Sequence, residues 1–222
     1  MIQHVYERAK TSAVIDKLVV ATDSAEIFEK VDSFGGEVIM TDENIPTGTD
    51  RTAVVARNYP YEVVLNIQGD EPLLKGSMLD KLAEPLIKDE SIHSSTLVKK
   101  ITGVKEIEDR NLVRVIIDRD GFALYFSRAA IPFYNDSADK EEWIKEHVYY
   151  RHIGLYGFQR EFLFEFVKMG ESPLEKAERL EQLRVLENGY RMKVEIVDFV
   201  PYPVDVPEDI KEVEKFMSKE DD

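Results

Sequence analysis

The fold class is decided by the stretch VVLNIQGDEP, residues 63–72. Residues 63–67 form a short run rich in Val, Leu and Ile, which is typical of a β-strand. The polar turn at 68–72 follows directly and therefore emerges at the carboxyl end of that strand. In open α/β sheets, ligands bind along this edge. The stretch therefore predicts a sheet strand with a candidate site at its end.

Around this stretch, short apolar runs alternate with longer patterns of helical spacing. Further strands are predicted at 18–21, 37–40 and 94–100, and helices at 25–34, 49–58 and 77–87. A first helical pattern consists of Ile2, Val5, Tyr6 and Ala9. The run at 18–21 is continuously apolar, which is typical of a strand buried on both faces. This βαβα order predicts a largely parallel sheet with helices on both faces.

The second half of the chain follows a different pattern. Apolar runs at 112–118 and 122–126 flank Arg119-Asp120-Gly121, a hairpin signal that predicts antiparallel pairing. A mixed, mostly parallel α/β sheet is therefore expected. The remaining predicted elements are strands at 151–158 and 193–197 and helices at 160–168, 174–188 and 207 to about 217.

Composition limits the classes of function. The 222 residues are 43% hydrophobic and 10% aromatic, which predicts one folded domain over residues 1–222. The formal net charge of −15 argues against nucleic-acid and basic membrane-surface binding, so neither partner is expected. The sequence has no cysteine, no signal peptide and no apolar run of about 18 residues. A soluble, cytoplasmic protein is expected.

The turn at 68–72 is the first candidate site. Gly69 would let a ligand approach the backbone, and Asp70 offers the hard oxygen ligands that suit Mg²⁺. The alternative is a polar turn in which Asp70 or Glu71 caps the next helix. Asp205 is the candidate for a second ligand, because carboxylates from separate loops usually hold Mg²⁺ together with substrate phosphates. Its alternative role is a helix cap or a solvated turn residue.

The segment Thr47-Gly48-Thr49-Asp50-Arg51 follows a strand and begins a helix. Thr49 and Asp50 are good N-cap residues, and Arg51 places a cation near the strand ends. Taken alone, this segment is better explained as a capped helix start than as a ligand site.

Three other polar groups are candidates. Ser127-Arg128 ends the hairpin, and Glu181-Gln182 lie in an apolar-striped helical pattern. His152 and Tyr156 share one strand face because they are four residues apart. For each group alone, an ion pair or a satisfied buried polar group is the commoner explanation. The sequence has no GxGxxG, Walker A, HExxH or GxSxG pattern.

Together, these segments resemble the 3-deoxy-manno-octulosonate (Kdo) cytidylyltransferases, also called CMP-Kdo synthetases. Any one motif is weak, but six in this order and spacing, across nearly the whole chain, are specific. They are QGDEP at 68–72, DGFALYFSRA at 120–129, IP at 131–132, HIGLYG at 152–157, LEQLR at 180–184 and VD at 204–205.

The resemblance implies a fold and a reaction. The fold is that of nucleotide-diphospho-sugar transferases, with a small sugar-binding and dimerisation lobe at about 111–160. The reaction transfers CMP from CTP to the anomeric hydroxyl of Kdo, releases pyrophosphate and forms CMP-Kdo for lipopolysaccharide biosynthesis. A homodimer is also implied. The alternatives are a cytidylyltransferase for another sugar acid, such as 8-amino-Kdo or sialate, and a non-catalytic binding or dimerisation protein.

The resemblance also assigns roles to individual residues. It implies Mg²⁺ as the cofactor, held by the two catalytic residues Asp70 and Asp205. The implied nucleotide-binding residues are Thr49, Arg51, Gln68 and Asp70. The implied sugar-binding residues are Arg128, His152, Tyr156, Glu181 and Gln182.

One feature departs from the family pattern. Family members begin with a strand and a loop rich in Arg, Ser and Lys that wraps the CTP phosphates, whereas Met1 falls after that loop. We therefore expect this chain alone to be weakly active or inactive, and the strand edge at 18–21 to be unpaired.

Overall fold

The computed structural model describes residues 1–199, 204 and 206–220. Its helices are α1 Ile2–Ala9, α2 Ala25–Ser33, α3 Gly48–Ala56, α4 Gly76–Lys88, α5 Val104–Glu108, α6 Lys140–Glu146, α7 Arg160–Phe166, α8 Pro173–Glu178, α9 Leu183–Glu187 and α10 Pro207–Glu220. Its strands are β1 Val20–Thr22, β2 Val38–Met40, β3 Val63–Asn66, β4 Ser94–Lys100, β5 Arg114–Ile117, β6 Ala123–Ser127, β7 Tyr150–Gln159 and β8 Met192–Ile196. Each predicted strand is present, with its ends within two residues of the prediction.

Six strands form one mixed sheet in the described part of the chain. Their order is β6-β5-β7-β4-β8, and β3 pairs with the carboxyl-terminal half of β7. Strand β7 is antiparallel to β3, β4 and β5, whereas β4 and β8 are parallel. Strands β3, β4, β5 and β8 therefore point one way, and β6 and β7 point the other way. The predicted mixed α/β sheet is confirmed, although the central position of β7 makes most neighbouring pairs antiparallel.

Helices cover both faces of this sheet, as predicted. In β4, Leu97 belongs to an apolar cluster with Leu79 and Leu82 of α4, whereas its neighbour Val98 belongs to a cluster with Leu163 of α7. Successive strand residues point to opposite faces of a sheet. Helices α4 and α7 therefore lie on opposite sides.

Strands β1 and β2 form a separate two-stranded parallel sheet. A cavity of about 770 Å³ lies between β1 and β3, and its apolar lining includes Leu18, Val20, Val64 and Leu65. The expected single sheet is divided here because, among the described residues, β1 pairs with β2 alone and β3 with β7 alone. Residues 18–21 are consequently half-buried, and the predicted burial on both faces is wrong.

The predicted helix at 174–188 is two short helices, α8 and α9. A capping box between Ser172 and Glu175 begins α8, and Arg179 ends it in the left-handed conformation, with φ 55°. The N–H of Leu180 then bonds to the carbonyl of Glu175, which closes the helix end. This break creates the turn that carries Glu181.

A third apolar cluster surrounds α5 and α6. It consists of Ile101, Ile107, Trp143 and Tyr149, and the indole N–H of Trp143 donates to the carbonyl of Ser137 at 2.8 Å. These contacts anchor the charged segment that precedes β7. A dimerisation lobe at 111–160 stays a prediction.

Across residues 1–199 and 206–220, no helix combines the length and the apolar composition needed to cross a membrane.

Candidate active site

The turn at 68–72 leaves the carboxyl end of β3, as predicted, and meets the chain that leads into α10. The backbone N–H of Val204 donates to the carbonyl of Asp70 at 2.9 Å. Asp205 lies outside the described residues, so its proposed convergence with Asp70 stays a prediction. The hydrogen bond from Val204 nevertheless places the residue before Asp205 against Asp70. This proximity is compatible with a metal site that Asp70 and Asp205 share.

A bulge in β7 sets the polar face of the site. Thr96 of β4 pairs with Tyr156, but the next residue, Leu97, pairs with Ile153, so two residues of β7 are extra at this point. His152 and Tyr156 remain on one face, and their ring centroids are 5.5 Å apart. The prediction that these two side chains share a face is confirmed.

His152 is held as a neutral imidazole. The hydroxyl of Thr96 lies 2.8 Å from Nε2 of His152 and 2.8 Å from the carbonyl oxygen of Leu155. Because the hydroxyl has one proton and the carbonyl can only accept, Thr96 donates to Leu155 and accepts from Nε2–H. Burial lowers the pKa of His152 to about 3. Its Nδ1 therefore carries a lone pair that can accept a hydrogen bond.

Tyr156 connects β7 to the turn between α8 and α9. Its hydroxyl donates to Oε1 of Gln182 at 3.1 Å, and burial, with Glu181 and Glu71 nearby, raises its pKa. Gln182 is 3% exposed, and its Nε2 has no hydrogen-bond partner among the described residues. The pair therefore places a fixed neutral hydroxyl beside a buried amide donor that has no partner among the described residues.

Thr49 and Glu181 form a second buried pair. The hydroxyl of Thr49 donates to Oε1 of Glu181 at 2.5 Å and accepts from Nδ2 of Asn66 at 3.1 Å. Burial raises the pKa of Glu181, and its hydrogen bonds oppose that shift. Thr49 therefore supports Glu181 directly, and its predicted contact with the nucleotide stays a prediction.

Glu71 is a buried carboxyl group in the turn with a strongly shifted pKa. It is 7% exposed, and its Oε2 has no hydrogen-bond partner in the described part of the chain. Burial, reinforced by the charge of Asp70, raises its pKa to about 7. A buried carboxyl oxygen without a hydrogen-bond partner can bond to a ligand.

Arg51 and Gln68 line the same cavity between β1 and β3. Arg51 is held by Asp23, with Nη2 to Oδ2 at 2.8 Å, and by the hydroxyl of Thr41. The α3 helix that carries Arg51 is capped by Thr47, whose side chain accepts from the N–H of Asp50. The predicted N-cap role of Thr49 and Asp50 is therefore wrong, because both lie inside the first turn.

Arg128 lies at the end of β6, beside α8. Its backbone N–H donates to Oε2 of Glu178 at 3.0 Å, and its Nε donates to the carbonyl of Glu178 at 3.1 Å. Nη1 donates to the carbonyl of Asn111 at 3.2 Å. Since Glu178 precedes the turn that carries Glu181, this contact links the predicted sugar-binding residues of the two segments.

The structure thus brings the predicted residues into three connected groups. Gln68 and Arg51 line one cavity, and Asp70 follows Gln68 by two residues. His152 lies beside Tyr156, which bonds to Gln182 in the turn that also carries Glu181, and Arg128 reaches the start of the same turn through Glu178. No group of three or more His, Cys, Asp or Glu side chains within 1–199 and 206–220 is arranged to hold a metal ion by itself.

Four supporting residues were missed by the sequence analysis: Asn66, Glu71, Thr96 and Glu178. Two of them had a signal, because Asn66 and Thr96 are polar residues within predicted strands. A buried polar side chain needs a partner, which marks such positions as candidates.

Comparison with known proteins agrees with this geometry. A profile of the family described as "Cytidylyltransferase" matches residues 1–196. The chain belongs to this family. A relative from Geobacter metallireducens, named 3-deoxy-manno-octulosonate cytidylyltransferase, is 42% identical over 99% of this chain and 88% of its own length. This relative confirms the specific group of cytidylyltransferases that the motifs predicted.

Other cytidylyltransferases extend the comparison. A protein of the same name from Syntrophotalea carbinolica is 46% identical over 98% of this chain and 88% of its own. A solved CMP:2-keto-3-deoxy-manno-octonic acid synthetase, complexed with CTP, superposes with a TM-score of 0.91 and 32% identity. The match covers 99% of this chain and 88% of the chain of the solved synthetase. The fold predicted from the motifs is therefore confirmed.

Proposed function

We propose that this chain transfers CMP from CTP to the anomeric hydroxyl of Kdo, releasing pyrophosphate and forming CMP-Kdo for lipopolysaccharide biosynthesis. The observation that carries the proposal is the polar face formed by His152, Tyr156 and Gln182 beside the turn of Asp70, in a member of this family. The names of the relatives agree with it.

The polar face suits a polyhydroxylated acid. Nδ1 of His152 accepts from a hydroxyl group, and Nε2 of Gln182 donates to one. Both side chains are neutral and fixed by partners, so a hydroxyl group that fits them meets little reorganisation. Arg128 supplies the cation for the sugar carboxylate, since guanidinium groups bind carboxylates through paired donors.

The turn at 68–72 suits the nucleotide. Gln68, with Arg51 nearby, lines the cavity at the carboxyl end of β3, where an amide side chain can recognise the base or ribose. Asp70 fits an Mg²⁺ ion because it offers hard carboxylate oxygens, and the Val204 bond supports Asp205 as its partner. The bound ion would neutralise phosphate charge and so reduce the repulsion between the two anionic substrates.

The reaction needs positioning rather than a covalent intermediate. The anomeric oxygen forms a bond to the α-phosphorus as the bond to the pyrophosphate oxygen breaks, and the hydroxyl proton leaves to an acceptor. Residues on β7 and the Glu181 turn hold the sugar acid, while the turn at 68–72 holds the nucleotide. Alignment of two bound reactants can supply much of the rate increase.

Four other aspects stay predictions. The resemblance implies a homodimer and Mg²⁺ as the preferred cation, and the composition suggests a cytoplasmic location without nucleic-acid or membrane partners.

The deciding experiment is pyrophosphate release from CTP and Mg²⁺ with a panel of sugar acids: Kdo, 8-amino-Kdo and sialate. Turnover with Kdo above the other acids is expected. Preference for another acid would replace Kdo as the substrate, and no turnover or binding with any acid would favour a non-catalytic role.

A further inference from the structure

Glu178 makes an unusual set of contacts for a residue outside the predicted site. Its Oε1 accepts from the hydroxyl of Ser127 at 2.6 Å, and its Oε2 accepts from the N–H of Arg128 at 3.0 Å. Its own carbonyl accepts from Nε of Arg128 at 3.1 Å. One residue thus fixes both the backbone and the side chain of Arg128.

Two other contacts complete the hold on this segment. Arg114 is fully buried, and its Nη1 donates to the carbonyl of Arg128 at 3.0 Å. The N–H of Ala129 donates to Oγ of Ser127 at 3.0 Å. The backbone around Arg128 is therefore bonded on both sides, while Nη2 of Arg128 makes no hydrogen bond to another described residue.

Glu178 is also the last residue of α8. Arg179 follows in the left-handed conformation, and the turn then carries Glu181 and Gln182 onto Thr49 and Tyr156. A displacement of Glu178 would consequently shift Arg128 relative to these residues. Both carboxylate oxygens of Glu178 bond to Ser127 or to backbone, so neither occupies the guanidinium.

We infer that Glu178 is a positioning residue for the sugar acid, which sets the place of the Arg128 guanidinium relative to the Glu181-Gln182 turn. The inference rests on the proposed function and deepens it, because the carboxylate of the sugar would bind the free side of Arg128. The role requires a fixed distance between two segments, which a bidentate carboxylate provides.

The chain offers a matched control in Glu187. Its Oε2 accepts from the hydroxyl of Ser172 and from the N–H of Leu174, at 2.9 Å for the latter. This is the same combination of a serine hydroxyl and a backbone N–H that Glu178 receives. The Ser172 contact secures the start of α8, and neither Glu187, Ser172 nor Leu174 makes a hydrogen bond to a predicted sugar-binding side chain in the described structure.

The experiment compares Glu178→Ala with Glu187→Ala in pyrophosphate release, varying Kdo and CTP separately. For Glu178→Ala, the KM for Kdo should rise by about tenfold or more, with the KM for CTP changed less than about twofold. The variant removes the carboxylate bonds to Ser127 and to the Arg128 N–H, so Glu178 would hold Arg128 through its backbone carbonyl alone. Glu187→Ala should lose comparable stability while keeping the KM for Kdo. Glu178→Gln should recover part of the loss, since its amide can still accept from Arg128 and donate to Ser127.

Two results would overturn the inference: an unchanged KM for Kdo in Glu178→Ala, or an equal rise in Glu187→Ala. Calorimetric binding of Kdo to the full chain gives the same comparison if turnover is slow. A wild-type chain that turns over another sugar acid would overturn the proposed substrate alone, and the same pair of variants would then be compared with that acid. A wild-type chain that binds no sugar acid would overturn both.

Discussion

At the scale of single residues, burial decides which groups in the site carry charge. The pKa of His152 is lowered to about 3 and that of Glu71 is raised to about 7, in both cases mainly by burial. Tyr156 is shifted upward as well. Near pH 7 His152 and Tyr156 are therefore neutral, so the face that they form with Gln182 carries no charge.

Glu71 makes stability depend on pH. Its folded pKa of about 7 lies above the ordinary value of 4.5. The folded state therefore binds the proton more tightly, and the free energy of unfolding falls as pH rises from about 4.5 to 7 and then levels off. The loss is on the order of 3 kcal/mol. Glu71→Gln should remove this slope and be more stable than the wild type at pH 8.

Urea unfolding of both proteins from pH 4 to 8, without Mg²⁺, measures this effect. Asp139→Asn serves as a control, because Asp139 caps α6 away from the turn and should leave the slope unchanged. Parallel pH profiles for the wild type and Glu71→Gln would contradict the assigned pKa.

Asp70→Asn tests the predicted metal ligand while preserving side-chain shape. An amide is a weaker ligand for Mg²⁺ than a carboxylate, so turnover should fall by roughly 10²-fold or more. The backbone bond from Val204 should survive, because it uses the Asp70 carbonyl. Pyrophosphate release across a series of Mg²⁺ concentrations provides the measurement. Activity within about threefold of the wild type would remove Asp70 from the catalytic residues.

The site residues differ in how well the sequence predicted them. His152 and Tyr156 could be placed together because strand periodicity fixes which residues share a face. The partnership of Thr49 with Glu181 could not, since it joins side chains 132 positions apart. Pairings of that kind depend on how separate elements pack, which no local pattern records.

At the scale of elements, the turn between α8 and α9 interrupts the single helix that the sequence predicted at 174–188. Apolar spacing continues through it, because Leu180 and Leu183 are both buried. The break is made by the backbone of Arg179, an amino acid with no special preference for positive φ. Periodicity reports which face is buried and carries no information about this backbone state.

The left-handed residue leads to a prediction for stability. Glycine adopts this conformation without a Cβ clash, but it loses more backbone entropy on folding than arginine does. Because these two effects offset each other, the free energy of unfolding of Arg179→Gly should stay within about 1 kcal/mol of the wild type. Arg179→Val should lose about 1–2 kcal/mol because a β-branched side chain resists positive φ. Urea denaturation of the two variants compares them directly. Equal stability would mean that Arg179 leaves the left-handed region in solution.

At the scale of the whole molecule, the antiparallel insertion of β7 was the feature least accessible to sequence, whereas an unpaired edge at 18–21 was expected. The strands themselves were predicted, but a strand does not specify its neighbour, and β7 inserted antiparallel between β3 and β4. The cavity, with Arg51 and Gln68 in its lining, lies between β1 and β3. A ligand bound there would contact both sheets and so stabilise the molecule as a unit.

Thermal unfolding with nucleotides tests this role of the cavity. A ligand at a hundred times its Kd stabilises the folded state by about 2.7 kcal/mol, which raises the Tm of a chain of this size by roughly 5–10 °C. CTP with Mg²⁺ should reach this range at a lower concentration than ATP or GTP. A pocket that forms hydrogen bonds to one base leaves its polar groups unpaired when a different base is bound.

Two controls separate the contributions to the CTP shift. Tripolyphosphate with Mg²⁺ measures the phosphate contribution without a base, and EDTA removes the metal. The CTP shift should exceed the tripolyphosphate shift and should shrink with EDTA. Equal shifts with all nucleotides would show that the base is not recognised, and an EDTA-insensitive CTP shift would show that nucleotide binding does not need the cation.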